Sequence, residues 1–191
     1  MDLSDAYANA AHIPGGDAFR AAWAARAAAF RAARPPERHP YGAHPREWLH
    51  LWRPAAGPAD RASASPSASP SGSAPGLLIL VHGGYWMRLS PEDFSWWAEG
   101  ALARGWAVAL PAYPLCPEAT VGGIVRAVAR AVDRAASLVP GPVHLAGHSA
   151  GGHIVARLAC ADVALASLVP GTGYDLMSPT KVFAATACGT P

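Results

Sequence analysis

The chain is poor in cysteine, in net charge and in long apolar runs, and each shortage excludes a class of protein. Its three cysteines, Cys116, Cys160 and Cys188, lie far apart and form no CxxC pair. This argues against a disulfide framework and is typical of a reducing cytoplasm. A formal net charge of +2 over 191 residues is too small for the basic surface that binds nucleic acid. No stretch approaches the roughly 18–20 uncharged apolar residues that a membrane span requires.

The N-terminus also lacks the features of a secretory signal. Residues 1–5 are acidic, whereas a signal peptide begins with basic residues and continues into an apolar segment. We therefore expect a cytoplasmic protein with neither a nucleic-acid partner nor a membrane partner.

Apolar residues recur with strand spacing and helix spacing in alternation. Asp17 is placed to cap a first helix over 17–34, on which Phe19, Trp23 and Phe30 share one face. The patterns that follow predict strands over 47–52, 77–81, 106–110 and 143–146, helices over 91–104, from 121 to about 139 and from 150 to about 160, and a final apolar run over 164–169. This alternation predicts an α/β fold with a doubly wound, mostly parallel sheet.

One segment interrupts this pattern. Residues 54–76 contain no large apolar side chain, only Ala, Ser, Pro, Gly, one Asp and one Arg. Such a composition cannot bury enough surface to offset the entropy lost on ordering. We predict a disordered Ser/Pro/Ala-rich insertion between two strands of a single domain that occupies residues 1–191.

The segment Gly147-His148-Ser149-Ala150-Gly151 has the pattern G-x-S-x-G. It lies directly after a predicted apolar strand and directly before a predicted helix, which is where a nucleophile elbow is found. Glycines allow a turn sharp enough to lift the Ser149 hydroxyl above the edge of the sheet. The segment therefore predicts Ser149 as a catalytic nucleophile. The alternative is a tight turn that happens to contain a serine.

A second motif, His82-Gly83-Gly84-Tyr85-Trp86, directly follows the strand predicted over 77–81. Two glycines after a buried strand expose backbone N–H groups that can point into a cavity. Such groups, together with the N–H of Ala150, can hold the negative oxygen of an acyl-transfer intermediate. The motif therefore predicts an oxyanion hole built from residues 83, 84 and 150. The alternative is an ordinary Gly-Gly turn packed with aromatic side chains.

Together these motifs resemble the α/β-hydrolase superfamily. More narrowly, they resemble its arylformamidase (kynurenine formamidase) and esterase branch, which carries a His-Gly-Gly-aromatic-Trp motif. The segment Tyr113-Pro-Leu-Cys-Pro117 and the early Tyr7-Ala-Asn9 and Ile13-Pro14 add to the resemblance, which covers most of residues 5–160.

The resemblance implies an α/β-hydrolase fold and a serine hydrolase that uses neither metal nor cofactor. Its expected substrate is a small molecule, a formamide or a short-chain ester. N-Formylkynurenine, hydrolysed to kynurenine and formate within tryptophan catabolism, is the first choice. Tyr85 and Trp86 are then expected to form walls of the substrate pocket, and His82 to hold the loop that carries the oxyanion glycines.

The sequence departs from the family at the catalytic triad. In this fold the acid and the histidine follow the nucleophile along the chain. After Ser149 the one histidine is His153, a helical turn away, and the acids are Asp162 and Asp175. The resemblance places the family's acid and histidine on loops after two later strands. We therefore expect an incomplete domain that lacks these last strands and triad loops, and an open sheet edge that favours self-association.

The other histidines have no motif context that predicts a catalytic or metal-binding role. His148 is expected to diverge from its neighbour on the sharp turn of the G-x-S-x-G motif. His39, His44 and His50 lie five and six positions apart, a spacing that matches no usual set of metal ligands. Because a serine hydroxyl without a base is a poor nucleophile, two hypotheses stay open. The chain is a serine hydrolase, or it is a catalytically inactive hydrolase-like remnant or binding module.

Overall fold

The computed structural model of the protein describes residues 12–55 and 76–160. In chain order the regular elements are the helix α1 (Gly16–Ala33), the strands β1 (Glu37–Pro40), β2 (Trp48–Trp52) and β3 (Leu77–Val81), 3-10 turns at Pro91–Asp93 and Ser95–Trp97, the helix α2 (Ala98–Leu102), the strand β4 (Ala107–Pro111), the helix α3 (Val121–Leu138), the strand β5 (Val143–Gly147) and the helix α4 (Ala150–Leu158).

The strands form one mixed sheet in the order β1-β2-β4-β3-β5. Strands β4, β3 and β5 run parallel, with Leu78 opposite Val108 on one side and His144 on the other. Strand β2 is antiparallel to both β1 and β4. The carboxyl ends of parallel strands lie at the same edge of a sheet. The loops that follow β3, β4 and β5 therefore converge at one edge, and these loops carry the three motifs found in the sequence.

Helices cover both faces of the sheet. On one face α3 and α4 pack against the strands and bury an aliphatic core that includes Leu77, Ile79, Val81, Ile124, Val128, Val132 and Ile154. On the other face α2 and the 3-10 turns bury a smaller cluster that includes Trp52, Phe94, Ala98, Leu102, Val108 and Leu110. Alternate residues of β3 and β4 thus reach opposite cores, which explains their continuous apolar sequence. The predicted α/β architecture is confirmed.

Helix α1 lies close to its predicted position but begins differently. Its N-cap is Gly15, whose φ of 72° places it in the left-handed region, so the prediction that Asp17 caps the helix is wrong. The predicted aromatic face is partly buried. The Phe30 ring lies 5.8 Å from that of Trp52, and the Phe19 side chain stays 51% exposed.

Two further elements differ from the sequence patterns. The single helix predicted over 91–104 is two 3-10 turns followed by the short α2. The Ser90 hydroxyl accepts from the Glu92 N–H, and the Asp93 carboxylate accepts from the Ser90 N–H. These two bonds close a tight 3-10 turn at the position where the longer helix was expected to begin. Strand β1 was not predicted, because its mostly exposed residues carry no apolar pattern and pair with β2 through the backbone.

Some expectations fall outside the described residues. They are the disordered insertion, of which residues 56–75 are not described, the resemblance at Tyr7 and Asn9, the apolar run 164–169, and the residues Asp162, Asp175 and Cys188. Within residues 12–55 and 76–160, no helix is both long enough and apolar enough to cross a membrane.

Candidate active site

The turn between β5 and α4 is a strained elbow that presents Ser149. This exposed residue has φ 54° and ψ −119°, a left-handed conformation that costs a non-glycine residue free energy and is found mainly where function requires it. A Cβ on Gly147 would lie 2.3 Å from the Gly151 carbonyl oxygen, and one on Gly151 would lie 2.1 Å from the Val81 oxygen. Both glycines of the motif are therefore required by close backbone contacts.

The loop after β3, residues 82–89, lies against this elbow; we call it the HGG loop. A Cβ on Gly83 would lie 2.7 Å from the His148 carbonyl oxygen and 3.0 Å from the Ser149 Cβ. Gly84 has a φ of 115°. The fold therefore brings the two predicted motifs together. The roles of Gly83, Gly84 and Ala150 as oxyanion donors, and of Ser149 as nucleophile, stay predictions.

His82 is buried beneath the HGG loop. Its ring stacks on that of Tyr113 with centroids 4.3 Å apart and an interplanar angle of 11°, and its Nδ1 lies 2.7 Å from the Gly83 carbonyl oxygen. Because that oxygen can only accept, Nδ1 carries the proton in this bond. Burial lowers the pKa of His82 to about 4, so the ring is neutral at pH 7. These contacts fit the expectation that His82 holds the loop.

The two aromatic residues of the motif occupy different environments. Tyr85 is 37% exposed, and the Arg88 guanidinium lies 5.3 Å from its ring centroid. Trp86 is half-buried and packs against the aliphatic core. Its carbonyl accepts from the Cys116 N–H at 2.8 Å, which ties the HGG loop to the loop after β4. Their predicted role as pocket walls stays a prediction.

The histidines on either side of the elbow both contact tryptophans. The His148 ring lies edge-on to Trp97 with centroids 5.9 Å apart, and burial lowers its pKa. The exposed His153 ring lies edge-on to Trp86 at 5.3 Å, while its backbone N–H donates to the Ser149 carbonyl oxygen.

A cavity of about 710 Å³ lies on the α1 and α2 side of the sheet. Gly147 and His148 of the elbow line this cavity. Among the described residues that form its wall, Ser149 is not included. Most of its wall is apolar, from the residues Trp23, Leu78, Leu80, Phe94, Trp96, Trp97, Ala101 and Ala146. At its rim the Arg26 guanidinium lies 4.2 Å from the Trp96 ring centroid and pairs with Glu99. We place the candidate active site at Ser149, because the strained elbow and the HGG loop meet there.

The histidines His39, His44 and His50 lie in three separate environments. His39 pairs with Glu37 and His44 with Glu118. His50 is buried between two tryptophans of β2, and desolvation lowers its pKa to about 4. Among residues 12–55 and 76–160, no group of three or more His, Cys, Asp or Glu side chains could hold a metal ion.

Sequence reasoning missed Arg46 and the role of Tyr113. Arg46 donates through Nε to the Tyr113 carbonyl oxygen at 2.8 Å and through Nη2 to the Leu89 carbonyl oxygen at 2.7 Å. It therefore joins the end of the HGG loop to the loop after β4. No local pattern marks Arg46, whereas Tyr113 lies in a segment that contributes to the family resemblance.

Comparison with known proteins agrees with this geometry. Residues 78–188, more than half of the chain, match the sequence profile of the alpha/beta hydrolase family. A kynurenine formamidase from Salmo salar is 33% identical over 97 residues, which cover 49% of this chain and 33% of that protein. The region of this chain that matches thus spans about a third of the length of the Salmo salar protein.

Two solved structures are also similar. A protein from a Silicibacter species, assigned by inference as a thioesterase, is 40% identical with a TM-score of 0.71, over 85% of this chain and 57% of that chain. An inhibited esterase B from Lactobacillus rhamnosis is 25% identical with a TM-score of 0.51, over 75% of this chain and 47% of that chain. The profile match, the sheet and the elbow lead to one conclusion: the chain belongs to the alpha/beta hydrolase family.

Proposed function

We propose that the protein is a serine hydrolase of formamides or short-chain esters, with N-formylkynurenine as the first candidate substrate. The observation that carries the proposal is the strained Ser149 just after β5, with Gly83 of the HGG loop packed closely against the same turn. In the proposal, Ser149 is the nucleophile and backbone N–H groups of the HGG loop stabilise the oxyanion, at the sheet edge where the parallel strands end. The identity to a protein named kynurenine formamidase supports the formamide, and the similarity to an esterase supports the ester.

The proposed reaction proceeds through an acyl-enzyme. Ser149 Oγ loses its proton to a general base and attacks the carbonyl carbon, and the resulting oxyanion accepts hydrogen bonds from the backbone N–H groups of residues 83, 84 and 150. The C–N or C–O bond then breaks, and the amine or alcohol leaves with the proton. Water hydrolyses the ester formed on Ser149 and releases formate or another short acid.

Labelling with a fluorophosphonate tests this proposal, because such probes react at useful rates only with an activated serine. We expect the purified chain to label and Ser149→Ala to lose the label. Ser137→Ala is the matched control, since the Ser137 hydroxyl is exposed on α3 and donates to the Arg134 carbonyl oxygen of the same helix. Circular dichroism establishes that all three proteins are folded. Labelled protein is then assayed on formamide and ester substrates.

The alternative is a hydrolase-like binding protein without turnover. The observation that favours it is that the rings of His148 and His153 pack edge-on against tryptophan rings, and within the described residues neither ring is hydrogen-bonded to Ser149. A folded chain that does not label would support this alternative and contradict the hydrolase.

A further inference from the structure

The HGG loop contains two successive peptide groups that each join a buried carbonyl to a predicted oxyanion donor. A trans peptide is planar, and its C=O and N–H point in opposite directions. The direction of the Gly83 N–H is therefore set by whatever holds the His82 carbonyl. In the same way, the direction of the Gly84 N–H is set by whatever holds the Gly83 carbonyl.

Tyr113 holds the first of these carbonyls. Its side chain is fully buried, and its hydroxyl donates to the His82 carbonyl oxygen at 2.7 Å. The same hydroxyl oxygen lies 3.2 Å from His82 Nδ1. That nitrogen in turn donates to the Gly83 carbonyl oxygen. Burial raises the pKa of Tyr113 well above its usual value, which keeps the hydroxyl protonated and available as a donor.

Tyr113 can transmit a defined direction because it is itself fixed. Its ring stacks on the His82 imidazole, and its carbonyl accepts from Arg46. Because the ring and the backbone of Tyr113 are both held, its hydroxyl has a fixed position. The peptide group between His82 and Gly83, which this hydroxyl contacts, therefore has little freedom to rotate. The strained conformations of Tyr85, Trp86 and Leu89, all with positive φ, show that the rest of the HGG loop needs such restraints.

We propose that Tyr113 is a positioning residue whose hydroxyl aims the Gly83 N–H, and through His82 the Gly84 N–H, at the oxyanion that forms when Ser149 attacks an acyl group. The proposal rests on the proposed function, since it assigns a purpose to the donors of that reaction. It also makes a purely structural claim about the two peptide groups, which can be measured whether or not the chain is catalytic.

The test is the substitution Tyr113→Phe, which removes one oxygen and keeps the stacked ring. Tyr41→Phe is the matched control, because Tyr41 is a half-buried tyrosine whose hydroxyl also donates to a backbone carbonyl, that of Ala112. This bond holds the residue directly before Tyr113, so the control measures the effect of loosening the loop after β4 while the Tyr113 hydroxyl is kept. The first readout is the second-order rate constant of fluorophosphonate labelling at Ser149. The second is the position of the Gly83 and Gly84 amide cross-peaks in a ¹H–¹⁵N spectrum.

We expect Tyr113→Phe to label about 10- to 100-fold more slowly than the unmodified chain, since small misplacements of catalytic groups cost about 10²-fold and loss of a whole oxyanion donor costs about 10²–10³-fold. Tyr41→Phe should stay within about 2-fold. The Gly83 and Gly84 cross-peaks should move in the first variant and stay in place in the second.

The outcomes separate this inference from the proposed function. If the unmodified chain labels and Tyr113→Phe labels equally fast, the positioning role is wrong and the hydrolase stands. If the folded chain does not label, the hydrolase is wrong, and the cross-peaks alone decide whether Tyr113 directs the two N–H groups. Cross-peaks that move equally in both tyrosine variants would overturn the inference, because a general loss of stability would then explain the effect.

Discussion

The crossing of α4 over β3 depends on Gly151 having no side chain, and the substitution Gly151→Ala tests this directly. A Cβ at this position would lie 2.1 Å from the Val81 carbonyl oxygen and 2.6 Å from the His82 carbonyl oxygen. Ordinary van der Waals contact begins near 3.4 Å, so the helix or the strand must move by about 1 Å. Both obstacles are backbone atoms, which cannot rotate away as a side chain can.

The expected cost follows from this clash. Alanine is a better helix former than glycine by about 0.5–1 kcal/mol, and overpacking a well-packed site costs about 1–3 kcal/mol, occasionally more. Because the contact is backbone against backbone, we expect the upper part of that range. Gly151→Ala should lower the free energy of unfolding by about 1–2.5 kcal/mol after the helix preference is taken into account.

The control is Gly122→Ala, in which the same methyl group is added to an exposed glycine of α3. Its Cβ would meet only the tip of the Arg126 side chain, at 3.7 Å, so we expect unfolding to become less favourable by up to about 1 kcal/mol. Urea unfolding followed by circular dichroism measures both variants. Equal effects of the two substitutions would refute the packing of α4 on β3 described above.

Three further predictions concern stability. The pKa values of His50 and His82, about 4 in the folded chain, lie below the ordinary value of about 6.5, so the unfolded chain binds more protons between pH 6.5 and 4. Urea unfolding should therefore show full stability above pH 6.5 and a loss of about 2 kcal/mol for each ring by pH 5; a flat profile would contradict their burial. Thr120→Ala removes the hydroxyl that caps α3 and should cost about 1 kcal/mol in thermal unfolding, with Thr120→Ser close to the unmodified chain. Arg130→Met leaves the buried carboxylate of Glu47 without its guanidinium partner and should lower the free energy of unfolding by about 1–2 kcal/mol. The same substitution should have no such effect in a chain that already carries Glu47→Gln.

The elements with strong local patterns were predicted close to their observed positions. Apolar residues at helical spacing predicted α3, and continuous apolar runs predicted β3 and β4 to within a residue or two. The G-x-S-x-G pattern predicted a turn that does place Ser149 at positive φ. These predictions succeeded because the required information, spacing and side-chain size, lies within a few consecutive residues.

The amino-acid sequence by itself determined the α/β architecture, the elbow at Ser149 and the glycines that the elbow needs, because periodicity and steric size act locally. Only the tertiary structure decided how these parts are held together. The bond from Tyr113 to His82 joins residues 31 positions apart, and the bonds of Arg46 span 43 and 67 positions. Such partners depend on which strands become neighbours in the sheet, and the order β2-β4-β3-β5 results from burial over the whole domain. No local pattern carries that information.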